Sequence, residues 1–414
     1  MPRDLNESYE RILRQFDSGA SRQRHFQKYM QRTLLWLCFA TRPLRLAELS
    51  EAIIIEEDDT GLDNDSRLLN PQILLSLGQG LFIYDKVTEL ITLGHSSIKT
   101  FLTSESIHKS SAAKFALSGP EAHGTIMRAC LTYLRFKCFK VEAGRTIHSY
   151  TTLTEEYPLL AYASHNWSLH IKSLDTTSWC HIATFLETRK LPNSGNYGFW
   201  IQYIAGSLPS DVIQNTSPLY YAASFGYDLL VSVILSFEKP LNIEQPGGRH
   251  GSTALQVACY RQQRKAVELL VDAGANPFSP DGSSLDGGFS SHFWAKSNGW
   301  DDLAERMTEK GKEKGLAKRR VFHGRFSEAI ARYTQKSALN EFKSLPESSG
   351  PRWIEECIPT YGMDESKARE FLKHTFPELR DSPLRVVRAG DFYVFEIPRH
   401  LTNEEKKHLV KLRS

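Results

Sequence analysis

Residues 217–226 read SPLYYAASFG, and residues 253–259 read TALQVAC. Each stretch opens on a hydroxyl side chain, Ser217 or Thr253, that can cap a helix by accepting a hydrogen bond from a backbone N–H. Apolar and small side chains follow at helical spacing, and Gly226 can take the left-handed conformation that ends a helix. The same short helix is therefore predicted twice, which indicates a repeat architecture.

The two stretches resemble the T-P-L-H-x-A-A-x-x-G signature of ankyrin repeats. Residues 266–270, AVELL, and residues 272–277, DAGANP, are similar to the second helix and the tail of an ankyrin unit. A degenerate third copy is predicted over residues 290–307. Because one ankyrin unit cannot bury its own apolar face, we expect helices within residues 179–213 to cap the stack on one side and residues after Gly299 on the other.

The resemblance also predicts which side chains meet a partner. In ankyrin repeats the first helix of each unit lines a concave face that binds other proteins. Aligning the three copies gives four hypothetical contact residues, since aromatic side chains and Arg commonly anchor interfaces: Tyr221, Tyr260, Arg261 and Trp294. The alternative is that Tyr221 and Trp294 pack inside the stack. We predict a protein partner on the concave face.

The N-terminal half changes from helical to strand-like periodicity. Amphipathic helices are predicted over residues 5–16, 30–39, 46–55 and 68–77, and strands over residues 81–84 and 89–93. Residues 85–88 join the two strands as a hairpin turn. Helices followed by a hairpin are the pattern of a winged-helix domain.

Residues 39–49, FATRPLRLAEL, resemble the A-x-R-P-L-x-x-x-E-L signature of the winged-helix domain that follows the NACHT NTPase in fungal STAND (NLR-like) proteins. Further segments are similar to other motifs of that family: residues 6–13 (NESYERIL), 95–102 (HSSIKTFL), 130–134 (CLTYL) and 157–167 (YPLLAYASHNW). The resemblance implies an NLR-like ankyrin protein. We expect a fragment that lacks the NTPase domain.

No catalytic constellation is predicted. The nearest candidate for a phosphate-binding loop, residues 119–125 (GPEAHGT), lacks the Lys that would contact the phosphates. His95 adjoins Ser96 and Ser97, but no G-x-S-x-G elbow accompanies them. We therefore predict no enzyme activity, no cofactor and no metal site.

Composition limits the partners. The 51 basic and 48 acidic residues give a net charge of +3, which offers no global electrostatic reason to bind nucleic acid or membrane. No apolar run reaches the roughly 18–20 residues of a membrane span. The six cysteines form no C-x-x-C pair, and we expect reduced thiols in a cytoplasmic protein. The basic residues 310–325 leave nuclear import open.

The alternative function is a winged helix that binds nucleic acid. Its reading helix should then present several Lys or Arg side chains. Residues 68–77, LLNPQILLSL, contain none, which makes nucleic acid an unfavoured partner.

We thus predict a mainly α chain in which a winged-helix domain, a helical spacer, a short ankyrin solenoid and a small α+β C-terminal module follow one another. The predicted domains are residues 1–25 (remnant of the NACHT C-terminal helix), 26–103 (winged helix), 104–212 (spacer), 213–310 (ankyrin repeats), 311–350 (basic linker and helix) and 351–414 (α+β module of unknown type). The predicted function is a non-catalytic interaction scaffold, in self/non-self recognition signalling.

Overall fold

The computed structural model of the 414-residue chain is described in two compact units, Met1–Lys318 and Arg319–Ser414. The described residues are 3–16, 21–62, 67–68, 71–78, 80–140, 147–172, 175–206, 208–248, 251–279, 290–315, 354–359, 365–377, 386–389, 392–398 and 402. Residues 316–350, which hold most of the predicted basic linker and helix, fall outside them.

The first unit is mainly helical. Its N-terminal elements are α1 (Arg3–Arg14), α2 (Ser21–Phe39), β1 (Leu44–Arg45), α3 (Leu46–Ala52), α4 (Ile73–Leu77), β2 (Phe82–Tyr84), β3 (Leu90–Leu93) and α5 (Ser96–Leu102). The next are α6 (Gly119–Leu134), α7 (Ile147–Glu156), α8 (Leu160–Asn166), α9 (Thr176–Glu187), α10 (Gly195–Ala205) and α11 (Ser210–Asn215). The last are α12 (Pro218–Phe225), α13 (Asp228–Phe237), α14 (Ala254–Tyr260), α15 (Arg264–Asp272), α16 (Ser291–Ser297) and α17 (Asp301–Glu313).

The predicted winged-helix domain is present, with a sheet that is larger than the predicted hairpin. Strands β2 and β3 form the antiparallel hairpin, and β1 adds a third strand by pairing Leu44 with Ile91. Several helix boundaries differ from the prediction. Helix α1 lies two residues earlier than predicted at both ends, and α2 begins at Ser21 rather than at residue 30. Helix α3 ends at Ala52, and α4 begins only at Ile73, two residues after Pro71.

The segment between α2 and α3 is held by one buried carboxylate. Both guanidinium nitrogens of Arg42 donate to Glu48, at 2.9 and 2.5 Å, and the backbone N–H of Arg45 donates to the same side chain at 2.8 Å. Glu48 is only 5% exposed. The charged pair therefore closes the turn, and Glu48 also accepts the backbone N–H of Arg45 at the start of α3.

Replacing Glu48 with Ala should lower the free energy of unfolding by about 2 kcal/mol, because three hydrogen bonds to a buried charge are lost. Urea titration followed by circular dichroism measures the change. The matched control is Glu56→Ala, since Glu56 pairs with Lys28 and Arg32 in an exposed position and should cost at most about 1 kcal/mol. Equal losses from the two variants would contradict the structural role of Glu48.

The ankyrin stack consists of three helix pairs, α12–α13, α14–α15 and α16–α17. The hydroxyls of Ser217, Thr253 and Ser290 each accept a backbone N–H at the start of the first helix, as the sequence predicts for the first two. The first helices pack side by side in the order α12, α14, α16, and the second helices in the order α13, α15, α17. Gly226 and Gly299 end first helices in the left-handed conformation, with φ of 70° and 73°.

Helices from residues 179–213 cap this stack, as predicted. Helix α10 lies beside α12, where the rings of Tyr197 and Tyr221 are 6.3 Å apart. Helix α9 contacts α13, where Trp179 stacks on Phe237 at 6.2 Å. The pair α9–α10 thus takes the place that a preceding repeat would occupy.

The second unit contains β4 (Ile354–Pro359), α18 (Glu365–Thr375), β5 (Val386–Ala389) and β6 (Phe392–Ile397). Strand β6 lies between β4 and β5 and pairs antiparallel with both. These strands and this helix agree with the α+β character that is predicted for residues 351–414.

Candidate protein-binding surface

Three of the four predicted contact residues lie in the first helices of the stack, and the fourth directly follows one of them. Tyr260 ends α14, Arg261 follows it directly, and Trp294 lies in α16. All three side chains are half-buried, and the rings of Tyr260 and Trp294 meet edge to face with centroids 5.1 Å apart. The structure therefore brings three of the four residues together on adjacent helices.

Tyr221 does not join them at the surface, because it is only 3% exposed. Its ring lies among those of Tyr197, Tyr220 and Phe225, at centroid distances of 6.3, 5.5 and 6.0 Å. The cause is α10, which covers the side of α12 that a first repeat would otherwise expose. Tyr221 packs inside the stack and is removed from the surface set, in line with the alternative stated for it above.

Other first-helix side chains extend the surface that the sequence predicted. We use "inner face" for the half-buried side chains of the first helices together with Arg261, which directly follows α14. The half-buried side chains of these helices are Tyr220, Phe225, Tyr260, His292, Phe293 and Trp294. Tyr220 is fixed by the loop that precedes α14, since a Cβ at Gly248 would lie 2.3 Å from its hydroxyl. The alignment of the copies could have found Tyr220 and Phe293, because both stand one residue before an aligned contact position.

A histidine pair joins α6 to the turn that follows α8; His170 is buried and His123 is half-buried. The Nδ1 atoms of His123 and His170 are 2.8 Å apart, so one ring donates and the other accepts. The Nε2 of His170 lies 2.8 Å from the hydroxyl of Tyr162, which also accepts the backbone N–H of Thr41 at 3.0 Å. Burial, with smaller contributions from His123 and Lys172, lowers the pKa of His170 to about 3. Both rings are therefore neutral at pH 7.

The residues considered for catalysis have structural roles. Residues 119–125 lie in the first turns of α6 and form no phosphate-binding loop. His95 caps α5 by accepting the backbone N–H of Ser97 at 3.1 Å. The Ser97 hydroxyl is 2.6 Å from that histidine and 2.7 Å from the hydroxyl of Tyr9 in α1, so it ties two helices together.

Helix α4, the helix that precedes the hairpin, contains no Lys or Arg. Helix α4 has the sequence ILLSL, and the exposed side chains of the hairpin include the apolar Ile83 and Val87, which are 56% and 91% exposed. A DNA-reading helix would carry Lys or Arg side chains for phosphates and bases. Across the described residues, no helix has the length and apolar character needed to cross a membrane.

Comparison with protein families agrees with this architecture. Residues 19–118 match the family "GPI inositol-deacylase, winged helix domain", and residues 197–281 match the family of ankyrin repeats in three copies. The chain carries a winged-helix domain and ankyrin repeats. The ankyrin match begins inside α10 and ends before α16. The pair α16–α17 lies outside the match, but its first helix begins with a hydroxyl cap, Ser290, as α12 and α14 do.

The chain is also similar to Azaphilone pigments biosynthesis cluster protein L of Monascus ruber, with 27% identity. The alignment covers 67% of this chain and 60% of the relative, so the chain spans less than two thirds of the length of that curated protein. No solved structure matches the chain.

Proposed function

We propose that this chain is a non-catalytic scaffold that binds a protein partner through the inner face of its ankyrin stack. The observation that supports the proposal is the half-exposed pair Tyr260–Trp294, which bridges two adjacent first helices and has Arg261 beside it. Aromatic and Arg side chains clustered near the centre of a patch are the usual anchors of an interface. Ankyrin repeats suggest a protein-interaction module in any case.

We further propose that the binding serves recognition signalling of the NLR-like kind, in the cytoplasm. Support comes from the motifs at residues 39–49 and 95–102, which resemble the winged helix after a NACHT domain. The relative from Monascus ruber is described as a protein of a pigment biosynthesis cluster. A regulatory scaffold for such a cluster is consistent with a binding stack joined to a winged helix.

The test is a quantitative pull-down from fungal lysate with mass spectrometry, repeated with the purified partner once it is identified. The double variant Tyr260→Ala/Trp294→Ala should reduce recovery of the partner by about tenfold or more, because interface anchors contribute upwards of about 1.4 kcal/mol each. The control is Leu229→Ala, an exposed residue of the outer helix α13. Both variants must retain the thermal melting temperature of the parent. Equal recovery from parent and double variant would contradict the proposal.

A further inference from the structure

A small cavity lies where the winged-helix domain meets the helices that follow it. Its volume is about 180 Å³, and it is lined by residues of α3, by Arg67, Leu68 and Pro71 ahead of α4, and by the end of α7 with Pro158. We call it the α3–α7 cavity. Pockets for drug-sized ligands usually measure about 300–1,000 Å³, so this cavity has the size for a single side chain.

The floor of the cavity carries a buried carboxylate, that of Glu51, which is only 4% exposed. Its Oε2 accepts the hydroxyl of Tyr133 at 2.5 Å and the backbone N–H of Leu159 at 3.1 Å. Its Oε1 accepts no hydrogen bond from the described residues, and Arg67 Nη2 approaches it only to 3.4 Å. Because buried polar atoms normally have a hydrogen-bond partner, Oε1 is a place for a donor from a ligand.

The rim of the cavity is acidic as well. Glu155 and Glu156 form the end of α7, and both side chains are exposed. Neither forms an ion pair with a described residue. The C-terminal end of a helix is the negative end of its dipole, where cations are favoured and carboxylates are not. The entrance therefore attracts positive charge.

The charge of the lining is unbalanced. Three carboxylates, those of Glu51, Glu155 and Glu156, face one guanidinium, that of Arg67, which also lies 5.1 Å above the ring of Tyr157. Burial raises the pKa of Glu51, although its hydrogen bonds and the charge of Arg67 act in the opposite direction. The donors present thus do not fully compensate Glu51 for the loss of water, and a second cation beside it is favoured.

We propose that the α3–α7 cavity binds the side chain of an Arg or Lys from a partner protein. The cationic head of that side chain donates to Oε1 of Glu51 and pairs with the two carboxylates at the rim. Its methylene stem packs on the apolar part of the lining, which includes Ala47 and Ile54, as the stems of basic side chains do elsewhere. The cavity is separate from the inner face, so this inference goes beyond the proposed function.

A metal ion would also neutralise carboxylates, but it needs its ligands close together. Within the ranges that the structure describes, no three His, Cys, Asp or Glu side chains are grouped so that they could hold one. A guanidinium offers five N–H donors spread over a plane, and an ammonium offers three. Such a head group can reach carboxylates that are spread over the floor and the rim.

The experiment measures fluorescence anisotropy of the full chain with two short labelled peptides of Gly and Ser, one with a central Arg and the other with Gln in its place. We expect the Gln peptide to bind at least about tenfold more weakly, because it lacks the charge. Glu155→Gln/Glu156→Gln should weaken binding of the Arg peptide about fivefold. The matched control is Glu105→Gln/Glu121→Gln, which makes the same change in net charge at exposed positions outside the cavity and should leave the affinity unchanged.

Two further variants test the location. Ala47→Leu narrows the cavity without removing a charge, and it should weaken binding of the Arg peptide at least about fivefold. The inner-face variant Tyr260→Ala/Trp294→Ala should bind the Arg peptide as the parent does. All variants must keep the melting temperature of the parent.

Equal affinity for the Arg and Gln peptides would overturn the inference. An equal loss in Glu105→Gln/Glu121→Gln would mean attraction to the net charge of the chain and would overturn it too. An unchanged affinity in Ala47→Leu would place the peptide outside the cavity, and a loss in the inner-face variant would place it on the ankyrin stack, with the same consequence. Failure of the proposed function is seen separately, in the pull-down.

Discussion

Trp200→Ala should destabilise the first unit by about 3–5 kcal/mol, the usual cost of removing a fully buried Trp. The Trp200 side chain is 1% exposed, and its indole N–H donates to the carbonyl of Ser164 at 2.9 Å. Its ring contacts aromatic rings from the helical region and from the ankyrin stack alike: Trp167, Phe185, Tyr197, Phe225 and Tyr227. The truncation opens a cavity where these two regions meet and leaves a buried carbonyl without its donor.

Urea unfolding monitored by circular dichroism measures the loss. Trp179→Ala is the matched control, since that ring is half-buried and stacks on Phe237 at 6.2 Å. Its loss should be smaller, about 1–2 kcal/mol, because less apolar surface leaves the interior. If the two variants lost the same stability, Trp200 would not be the centre of the junction.

Acid should destabilise the first unit through the pair His123–His170. Burial lowers the pKa of both rings in the folded chain, that of His170 to about 3. In the unfolded chain a histidine titrates near 6.5, so below that pH the unfolded state takes up a proton that the folded state excludes. Stability is therefore complete above about pH 6.5 and falls as the pH drops from about 6.5 toward 3. Each such proton gives a slope of up to about 1.4 kcal/mol per pH unit.

The measurement is urea unfolding at intervals between about pH 7 and pH 4, compared with His170→Gln. Glutamine cannot take up a proton. The free energy of unfolding of the variant should therefore fall less steeply with decreasing pH, by the contribution of about one proton, whatever its stability at neutral pH. His165→Gln is the control, since His165 is exposed, hydrogen-bonds to the carbonyl of Ala161 and contacts the ring of Tyr203. A slope unchanged in His170→Gln would show that other groups cause the acid sensitivity.

Local signals in the sequence predicted the ankyrin units and the hairpin. The caps at Ser217 and Thr253 and the turn glycine Gly226 depend on neighbouring residues, so they can be interpreted without the fold. The end of the first helix in the second repeat differs. There Gln262 takes the left-handed conformation, with a φ of 60°, whereas the first helices of the other two repeats are followed by glycine. A glycine pattern alone could not have indicated that turn.

Features made by distant contacts were not predictable in this way. Strand β1 exists because Leu44 pairs with Ile91, and a two-residue strand has no periodicity to detect. Which aromatic side chains stay half-exposed on the inner face depends on α10, because the packing of α10 against α12 buries Tyr221. The pair His123–His170 joins residues 47 positions apart, and neither stands in a motif that marks it as a partner of the other.

The binding surface also remains only partly predicted. Tyr260, Arg261 and Trp294 follow from the alignment of the copies, and the structure places them on adjacent helices.

The aromatic junction at Trp200 belongs to one continuous apolar core that runs from Tyr9 in α1 to Met307 in α17. Two regions that share a core melt together, so we expect one calorimetric transition for the winged helix and the repeats rather than two. Damage to a repeat would then expose the winged helix to proteases and chaperones as well. In the cell, the ankyrin stack and the winged helix would be degraded together, because neither region stays folded when the other unfolds.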